Sequence, residues 1–188
     1  MDSTDYDLFE HRHRFSVWAA ARAAQIRMAV SVNELHDALG KIGIKEFVRR
    51  RIEEEITEEG FQNQHKGWCG EIVKFLYDSD VSGDSKLWYG RAAKLVAMYL
   101  KGMVVVGHHS KTPLARIAHP PIDSILLDGI ARCDCVPAAT RRLCRSTAWT
   151  KLDSDRYYSL IKEIKANVPD IDPFWRLERY WHPKSAAR

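Results

Sequence analysis

Apolar side chains recur along most of this chain at intervals of three and four residues, which is the period of an α-helix. Alternation typical of strands is scarce, since the only β-branched run, at 103–106, continues a helical pattern. We therefore predict an all-α fold of eight or nine helices, formed as a single domain over residues 1–188. The predicted helices cover 7–28, a short segment after Ser31, 45–59, 64–77, 87–106, 122–132, 138–146, 153–167 and 173–181.

Several helix boundaries are marked by specific residues. Ser31 and Glu34 form a capping-box pattern, which predicts that a helix begins there. Glycine often follows the last turn of a helix, so Gly40 and Gly43 are expected to end that helix and Gly60 to end the helix at 45–59. The segment 107–121 contains three histidines and three prolines, and we predict a loop.

The predicted helix 87–106 is apolar nearly all round, which indicates burial, yet it carries Arg91, Lys94 and Lys101. Lys94 and Lys101 are seven positions apart, so they share one face of the helix. A lysine in apolar surroundings is more readily deprotonated, and the neutral amine is a nucleophile. Alternatively, these side chains lie along the core with their ammonium groups in water, and the residues alone favour this second interpretation.

Asp123 follows the sequence His119-Pro-Pro-Ile, in which the prolines impose an extended approach and then allow a helix to begin. The free amides and the dipole of a first helical turn favour a carboxylate at this position. Asp123 is therefore a candidate for chemistry, although an acidic residue at a helix start is more often only a cap.

Two aromatic segments also have two interpretations. Phe15, Trp18, Arg22 and Gln25 cover one side of the first predicted helix, which is either a functional face or an ordinary core helix. The aromatic residues of 174–181 alternate with arginines, as in surfaces that stack nucleic-acid bases, or they form a helix that docks on the core.

Composition narrows the function only slightly. The formal charge is +4, which permits a nucleic-acid partner without demonstrating one. The acidic start lacks a signal pattern and no run of 18 apolar residues occurs, so we expect a cytoplasmic chain without a membrane span. The four cysteines are then expected to be reduced thiols, and their spacing matches no zinc motif, so no metal site is predicted.

The order of these segments resembles the helix-hairpin-helix DNA glycosylase superfamily, which contains endonuclease III. Residues 15–25 followed by 31–35 resemble its opening helix, and 89–94 and 121–125 resemble its catalytic lysine helix and aspartate turn. The spacing of lysines and aspartate is nearest to the archaeal 8-oxoguanine glycosylase branch. The chain departs from the family in having Leu-Trp-Tyr-Gly at 87–90 in place of the phosphate-binding hairpin, and it has no four-cysteine iron–sulfur loop.

The resemblance implies a compact two-lobed helical fold and a cofactor-independent monomer that flips a base out of duplex DNA and cleaves its N-glycosidic bond. An oxidised purine and a bulky base, such as a hypermodified phage cytosine, both fit, in repair or in phage defence, with or without lyase activity. The implied catalytic residues are Lys94 and Asp123. The expected DNA contacts are Gln25, Arg22, Arg91, Lys101 and Arg116. The residues expected to line the base pocket are Trp18, Trp68, Trp88 and His119.

Two other classes remain open. A helical ribonuclease of the toxin type carries an arginine and a histidine on one helix with four to six residues between them, whereas only two residues separate Arg116 from His119. A non-catalytic helical module that binds nucleic acid or protein would not need Lys94 and Asp123 together. A side-chain separation beyond about 8 Å would favour that module, because catalytic partners must nearly reach one reacting atom.

Overall fold

The computed structural model describes residues 6–24, 30–79 and 89–183. Over these ranges the chain forms nine α-helices and no strand, which confirms the prediction of an all-α fold. The α-helices are α1 (Leu8–Ala23), α2 (Val32–Lys41), α3 (Ile44–Arg51), α4 (Glu58–Ser79), α5 (Tyr89–Leu100), α6 (Pro113–Ile117), α7 (Ser124–Arg132), α8 (Ala138–Ser146) and α9 (Ser154–Asn167). A π-helical segment (Lys101–His109) continues α5, and two 3₁₀-helices (Trp149–Lys151 and Phe174–Tyr180) lie before and after α9.

Helix α5 is the centre of the molecule. It packs most extensively against α1 and α4, and it also contacts the 3₁₀-helix Trp149–Lys151. Its residues Leu95, Val96 and Leu100 are completely buried. Ten of its twelve residues are buried, which explains why its sequence is apolar nearly all round.

Several boundaries agree with the sequence patterns. The capping box is present, because the Ser31 hydroxyl accepts from the Glu34 amide at 3.2 Å and Glu34 accepts from the Ser31 amide at 2.7 Å. Helix α8 has the predicted bounds, and α9 begins after Asp153, whose carboxylate accepts from the Arg156 amide at 2.9 Å. The starts of α2 and α9 depend on a local side-chain contact, which sequence can indicate.

The predicted helix 45–59 is wrong. Helix α3 ends at Arg51, and Gly60 lies in the first turn of α4 instead of ending a helix. The reason is Thr57, whose hydroxyl accepts from the Gly60 amide at 3.0 Å and whose carbonyl accepts from the Phe61 amide at 2.9 Å. Thr57 therefore begins a new helix at a point where the charged sequence suggested continuation.

The segment predicted as a loop after Val106 is also partly helical. The π-helical segment that continues α5 is interrupted by a kink at Gly107 and His108, whose backbone angles are not helical, and His108 adopts a positive φ of 69°. Thr112 then caps α6 through the Ala115 amide at 3.3 Å, with Pro113 in the first turn. Pro113 therefore marks the start of a helix within the segment that was predicted as a loop.

A disulfide joins Cys133 to Cys135, so the expectation of four reduced thiols is wrong for this pair. Cys133 ends α7 and accepts a turn hydrogen bond from the Val136 amide at 3.2 Å, which brings the two Cα atoms to 5.2 Å. Cys69 and Cys144 are free and buried. The expectation rested on the absence of an export signal, which carries no information about this local turn.

No helix in the described part of the chain combines the length and the hydropathy needed to cross a membrane.

Three histidines are buried beside tyrosine hydroxyls. His13 lies 2.8 Å from the Tyr99 hydroxyl, and His65 lies 2.8 Å from that of Tyr158. Burial lowers the pKa of His13 to about 4 and that of His65 to about 3. Burial also holds the pKa of His119 well below its usual value. All three imidazoles are therefore neutral in the folded protein at pH 7.

We predict that the free energy of unfolding falls as the pH drops below about 6.5. Below that pH the histidines become protonated in the unfolded chain but stay neutral in the folded protein. This difference lowers the free energy of unfolding by about 1 kcal/mol per histidine per pH unit, until the folded pKa is reached. Urea unfolding at pH 7.5, 6.0 and 5.0 measures this slope. The variant His65→Gln should flatten it, whereas His11→Gln at an exposed position should not. An unchanged slope in His65→Gln would exclude His65 as a source of the pH dependence.

Candidate functional site

A cleft of about 530 Å³ opens between α1, α5, the start of α7 and the C-terminal 3₁₀-helix. Both residues that the resemblance implies as catalytic, Lys94 and Asp123, line it. The cleft also contains Trp149, Trp181 and Glu178. The elements that form its walls come from both halves of the chain, so only the folded protein assembles it.

Lys94 and Asp123 form a buried ion pair in this cleft. The Lys94 ammonium donates to Asp123 Oδ2 at 3.1 Å, and each residue is only 7% exposed. Lys94 lies in the second turn of α5, whereas Asp123 is the N-cap of α7 and its Oδ1 accepts from the Leu126 amide at 2.8 Å. One oxygen of Asp123 thus anchors the helix, and the other is directed at Lys94.

Two tryptophans enclose the pair. The Trp181 indole N–H donates to Asp123 Oδ2 at 3.1 Å, and the Lys94 ammonium lies 4.7 Å from the centre of the Trp149 ring. Aromatic walls exclude water and strengthen the electrostatic interactions between the groups inside. The sequence indicated Trp181 only as part of an aromatic terminus, and no sequence signal indicated Trp149.

Two glycines allow the tryptophans to reach the pair. Gly90 donates its amide to the Leu152 carbonyl at 3.1 Å, and a Cβ there would lie 1.9 Å from the Trp149 carbonyl oxygen. A Cβ on Gly129 would lie 1.9 Å from the Tyr180 carbonyl oxygen, in the residue before Trp181. Glycine is thus required at both points, because the backbones approach more closely than any side chain permits.

Lys101 also lines the cleft but has a different partner. It forms an ion pair with Glu178 and lies 6.0 Å from the centre of the Trp181 ring. Its side chain is more exposed than that of Lys94. The two lysines therefore share one face, as the seven-residue spacing predicted, but they have different surroundings. Glu178 was not a candidate from sequence, since nothing local marks its long-range pairing.

The face of α1 at the cleft mouth is aromatic and basic. Trp18 and Arg22 line the cleft, and the Arg22 guanidinium lies 4.4 Å from the centre of the Trp18 ring. Trp18 is 43% exposed, and its neighbour Phe15 is 57% exposed. The interpretation of this stripe as an ordinary core face is therefore wrong for both aromatics. Gln25, at the end of the stripe, lies outside the described residues.

The other predicted site residues lie elsewhere. Trp68 is buried in the core against Phe47, with ring centres 4.9 Å apart, so it does not line this cleft. His119 is buried next to His65, with ring centres 4.7 Å apart, and borders a different depression. The sequence prediction places Trp68 and His119 in one base pocket with Trp18. Both side chains are buried in the core, so neither lines the cleft that contains Trp18.

The predicted cations occupy different positions too. Arg116 is exposed and forms a two-pronged ion pair with Asp172, with a closest distance of 2.6 Å, away from the cleft. Arg91 donates to the Ala24 carbonyl at 3.2 Å and lies beside Trp149 at the edge of the site. Trp88 falls outside the described residues.

No protein-family model matches the chain, and neither the curated proteins nor the solved structures include one with significant similarity to it. An amine and a carboxylate 3.1 Å apart can act on one reacting atom, within a cleft that also has aromatic and cationic groups.

We predict that Gly90→Ala destabilises the protein by about 1–3 kcal/mol, because its methyl group would overlap the Trp149 carbonyl and force the backbones apart. For a chain of this size each kcal/mol lowers the Tm by about 2–4 °C. Gly67→Ala is the matched control, since it lies within α4 with open space around it and should be neutral or stabilising. Calorimetry compares the two, and equal Tm values would contradict the close approach.

Proposed function

We propose that this chain is a DNA N-glycosylase that acts on a base flipped out of duplex DNA and cleaves its N-glycosidic bond. The proposal rests on the Lys94–Asp123 ion pair. The Lys94 ammonium lies 3.1 Å from Asp123 Oδ2, and the two buried side chains form the inner part of the cleft. These are the two positions that the resemblance to helix-hairpin-helix glycosylases implies as catalytic. Their pairing across 29 residues of sequence is independent support, because the resemblance rested on sequence order alone.

Asp123 supplies the charge that the reaction needs. Cleavage of a glycosidic bond leaves positive charge on the sugar, and a carboxylate beside it stabilises that transition state. Asp123 Oδ2 is held in place by Lys94 and by the Trp181 indole, while Oδ1 is fixed by the Leu126 amide. A carboxylate oriented before the substrate arrives needs no reorganisation during the reaction, which is the main source of electrostatic catalysis.

Lys94 can act by two routes. As a nucleophile it would attack the sugar C1′ as a neutral amine while the bond from C1′ to the base breaks; cleavage of the bond from C1′ to the ring oxygen then gives a Schiff base, which leads to strand cleavage. Its ammonium proton must leave first; Asp123 Oδ2 lies within hydrogen-bond distance to receive it and would pass it on to the departing base, which restores the charge of the carboxylate. As a positioning residue it would instead orient water and the leaving base, which leaves an intact abasic site.

DNA would approach from the mouth of the cleft. Arg22 and Lys101 lie there and are suited to phosphate contacts, and the exposed Trp18 ring offers a stacking surface. The cleft volume of about 530 Å³ falls within the usual range for small-molecule sites. An oxidised purine and a bulkier modified base are both compatible with that size, so both are candidate substrates.

The alternatives receive less support. A non-catalytic module predicts a wide Lys94–Asp123 separation, and the observed distance is 3.1 Å. A toxin-type ribonuclease would need Arg116 and His119 in one open site. Arg116 is exposed and paired with Asp172, whereas His119 is buried in the core.

We predict that Asp123→Asn lowers base release at least ~100-fold, because it removes the transition-state charge while keeping the shape of the side chain. Mass spectrometry of bases released from a panel of duplexes with oxidised purines and modified cytosines measures the rate and identifies the substrate. Asp153→Asn is the matched control, since Asp153 caps α9 in the same way but does not line the cleft. Near-normal turnover in Asp123→Asn would remove Asp123 from the mechanism, and no release from any duplex would contradict the proposal.

We further predict that borohydride traps a covalent complex between the wild-type protein and the excised strand if Lys94 is the nucleophile. Lys94→Ala should abolish this adduct, whereas Lys101→Ala should weaken it through DNA binding only. Denaturing gel electrophoresis of the labelled strand separates the adduct from free DNA. Base release without an adduct would assign Lys94 to positioning, and loss of the adduct in Lys101→Ala alone would identify Lys101 as the nucleophile.

A further inference from the structure

Away from the cleft, three side chains with metal-binding atoms meet where the first half of α1 packs against α2. They are Glu10, His13 and His36, and one ligand atom from each lies within 4.8 Å of the others. Glu10 Oε1 is 4.0 Å from His36 Nε2, and the two imidazole centres are 4.7 Å apart. We propose that this cluster binds a divalent transition-metal ion of the Zn²⁺ class.

The imidazoles are already oriented for such a role. His13 shares a hydrogen bond between Nδ1 and the Tyr99 hydroxyl at 2.8 Å, and Nδ1 of His36 lies 3.4 Å from the Asp37 carboxylate. The Nε2 atom of each ring is therefore the nitrogen that can bind a metal ion. Histidine ligands of metals almost always donate their second ring N–H to an outer partner, which fixes the tautomer and the ring direction.

Glu10 is oriented in a similar way. Its Oε2 accepts from the Lys45 ammonium at 2.6 Å, and its Oε1 lies 3.2 Å from Arg14 Nε. The Arg14 side chain is 72% exposed, so it can move into solvent and yield Oε1 to an ion without uncovering a buried charge. Lys45 remains on the outer oxygen and holds the carboxylate in place.

The ligand set selects the class of ion. Two imidazoles and one carboxylate suit Zn²⁺, Co²⁺ or Ni²⁺, whereas Mg²⁺ and Ca²⁺ require oxygen ligands. Bonds of about 2.0–2.1 Å in a tetrahedral site place ligand atoms about 3.3 Å apart, so the donors must approach by about 1 Å. Glu10 and His36 are partly exposed and can make this adjustment, with water in the fourth position.

The site would act as a clamp. It joins α1 to α2 and, through the Tyr99 hydroxyl, lies next to the central helix α5. Helix α1 also carries Trp18 and Arg22 at the cleft mouth, so a bound ion would stabilise the helix that forms one wall of the cleft. This inference does not depend on the proposed glycosylase activity, because none of its ligands lines the cleft.

Isothermal titration calorimetry and thermal unfolding of the untagged, chelator-treated full chain test the site with Zn²⁺, Co²⁺ and Mg²⁺. We expect one Zn²⁺ per chain, a higher Tm on binding, visible Co²⁺ absorption typical of a low-coordinate site, and no effect of Mg²⁺. His36→Ala should weaken Zn²⁺ binding at least ~10-fold, and Glu10→Gln provides a second variant with nearly unchanged shape. His11→Ala, next to Glu10 but exposed, is the control and should bind like the wild type.

Two results would overturn the proposal. One is the absence of a saturable Zn²⁺ site in the wild-type protein. The other is equal Zn²⁺ affinity in the wild type, His36→Ala and Glu10→Gln, which would place the ion elsewhere in the chain. Circular dichroism of each variant confirms that the comparison is between folded proteins.

Discussion

A buried charge must be paired, and that constraint organises the cleft. Removing Lys94 and Asp123 from water costs several kcal/mol for each ion, and their attraction offsets this only if the remaining polar atoms are also satisfied. The Leu126 amide and the Trp181 indole provide those contacts to Asp123. The central helix α5 and the start of α7 are consequently held in one relative position, because a shift of either would leave a charge buried alone.

The same constraint explains the two close backbone approaches. The tryptophans can enclose the ion pair only if the chain around each one comes within van der Waals distance of α5 or α7. Gly90 permits the first approach and Gly129 the second. The positions of Trp149 and Trp181 around the ion pair therefore depend on two residues that have no side chain, Gly90 and Gly129.

Interactions between residues close in sequence could be predicted, whereas interactions between distant residues could not be predicted from local patterns. The cap at Ser31 and the start of α9 were predictable because both depend on residues three positions apart. The Lys94–Asp123 pairing was accessible only through the order of motifs in a resembling family. Trp149 and the Glu178 partner of Lys101 were not predictable, since both arise from tertiary packing across more than 50 residues. Local reasoning also failed at Gly60, where it gave glycine more weight than the Thr57 cap beside it.

The two lysines of the cleft show how one helical face can hold two ion pairs in different surroundings. Lys101 and Glu178 have side chains that are 30% and 18% exposed, so water screens their attraction more than it screens the attraction between Lys94 and Asp123. Lys94 pairs with Asp123 where both are buried, and separating them would cost several kcal/mol. The Lys101–Glu178 pair at the rim can therefore separate at lower cost than the inner pair, so a change at the rim can leave the geometry of Lys94 and Asp123 unchanged.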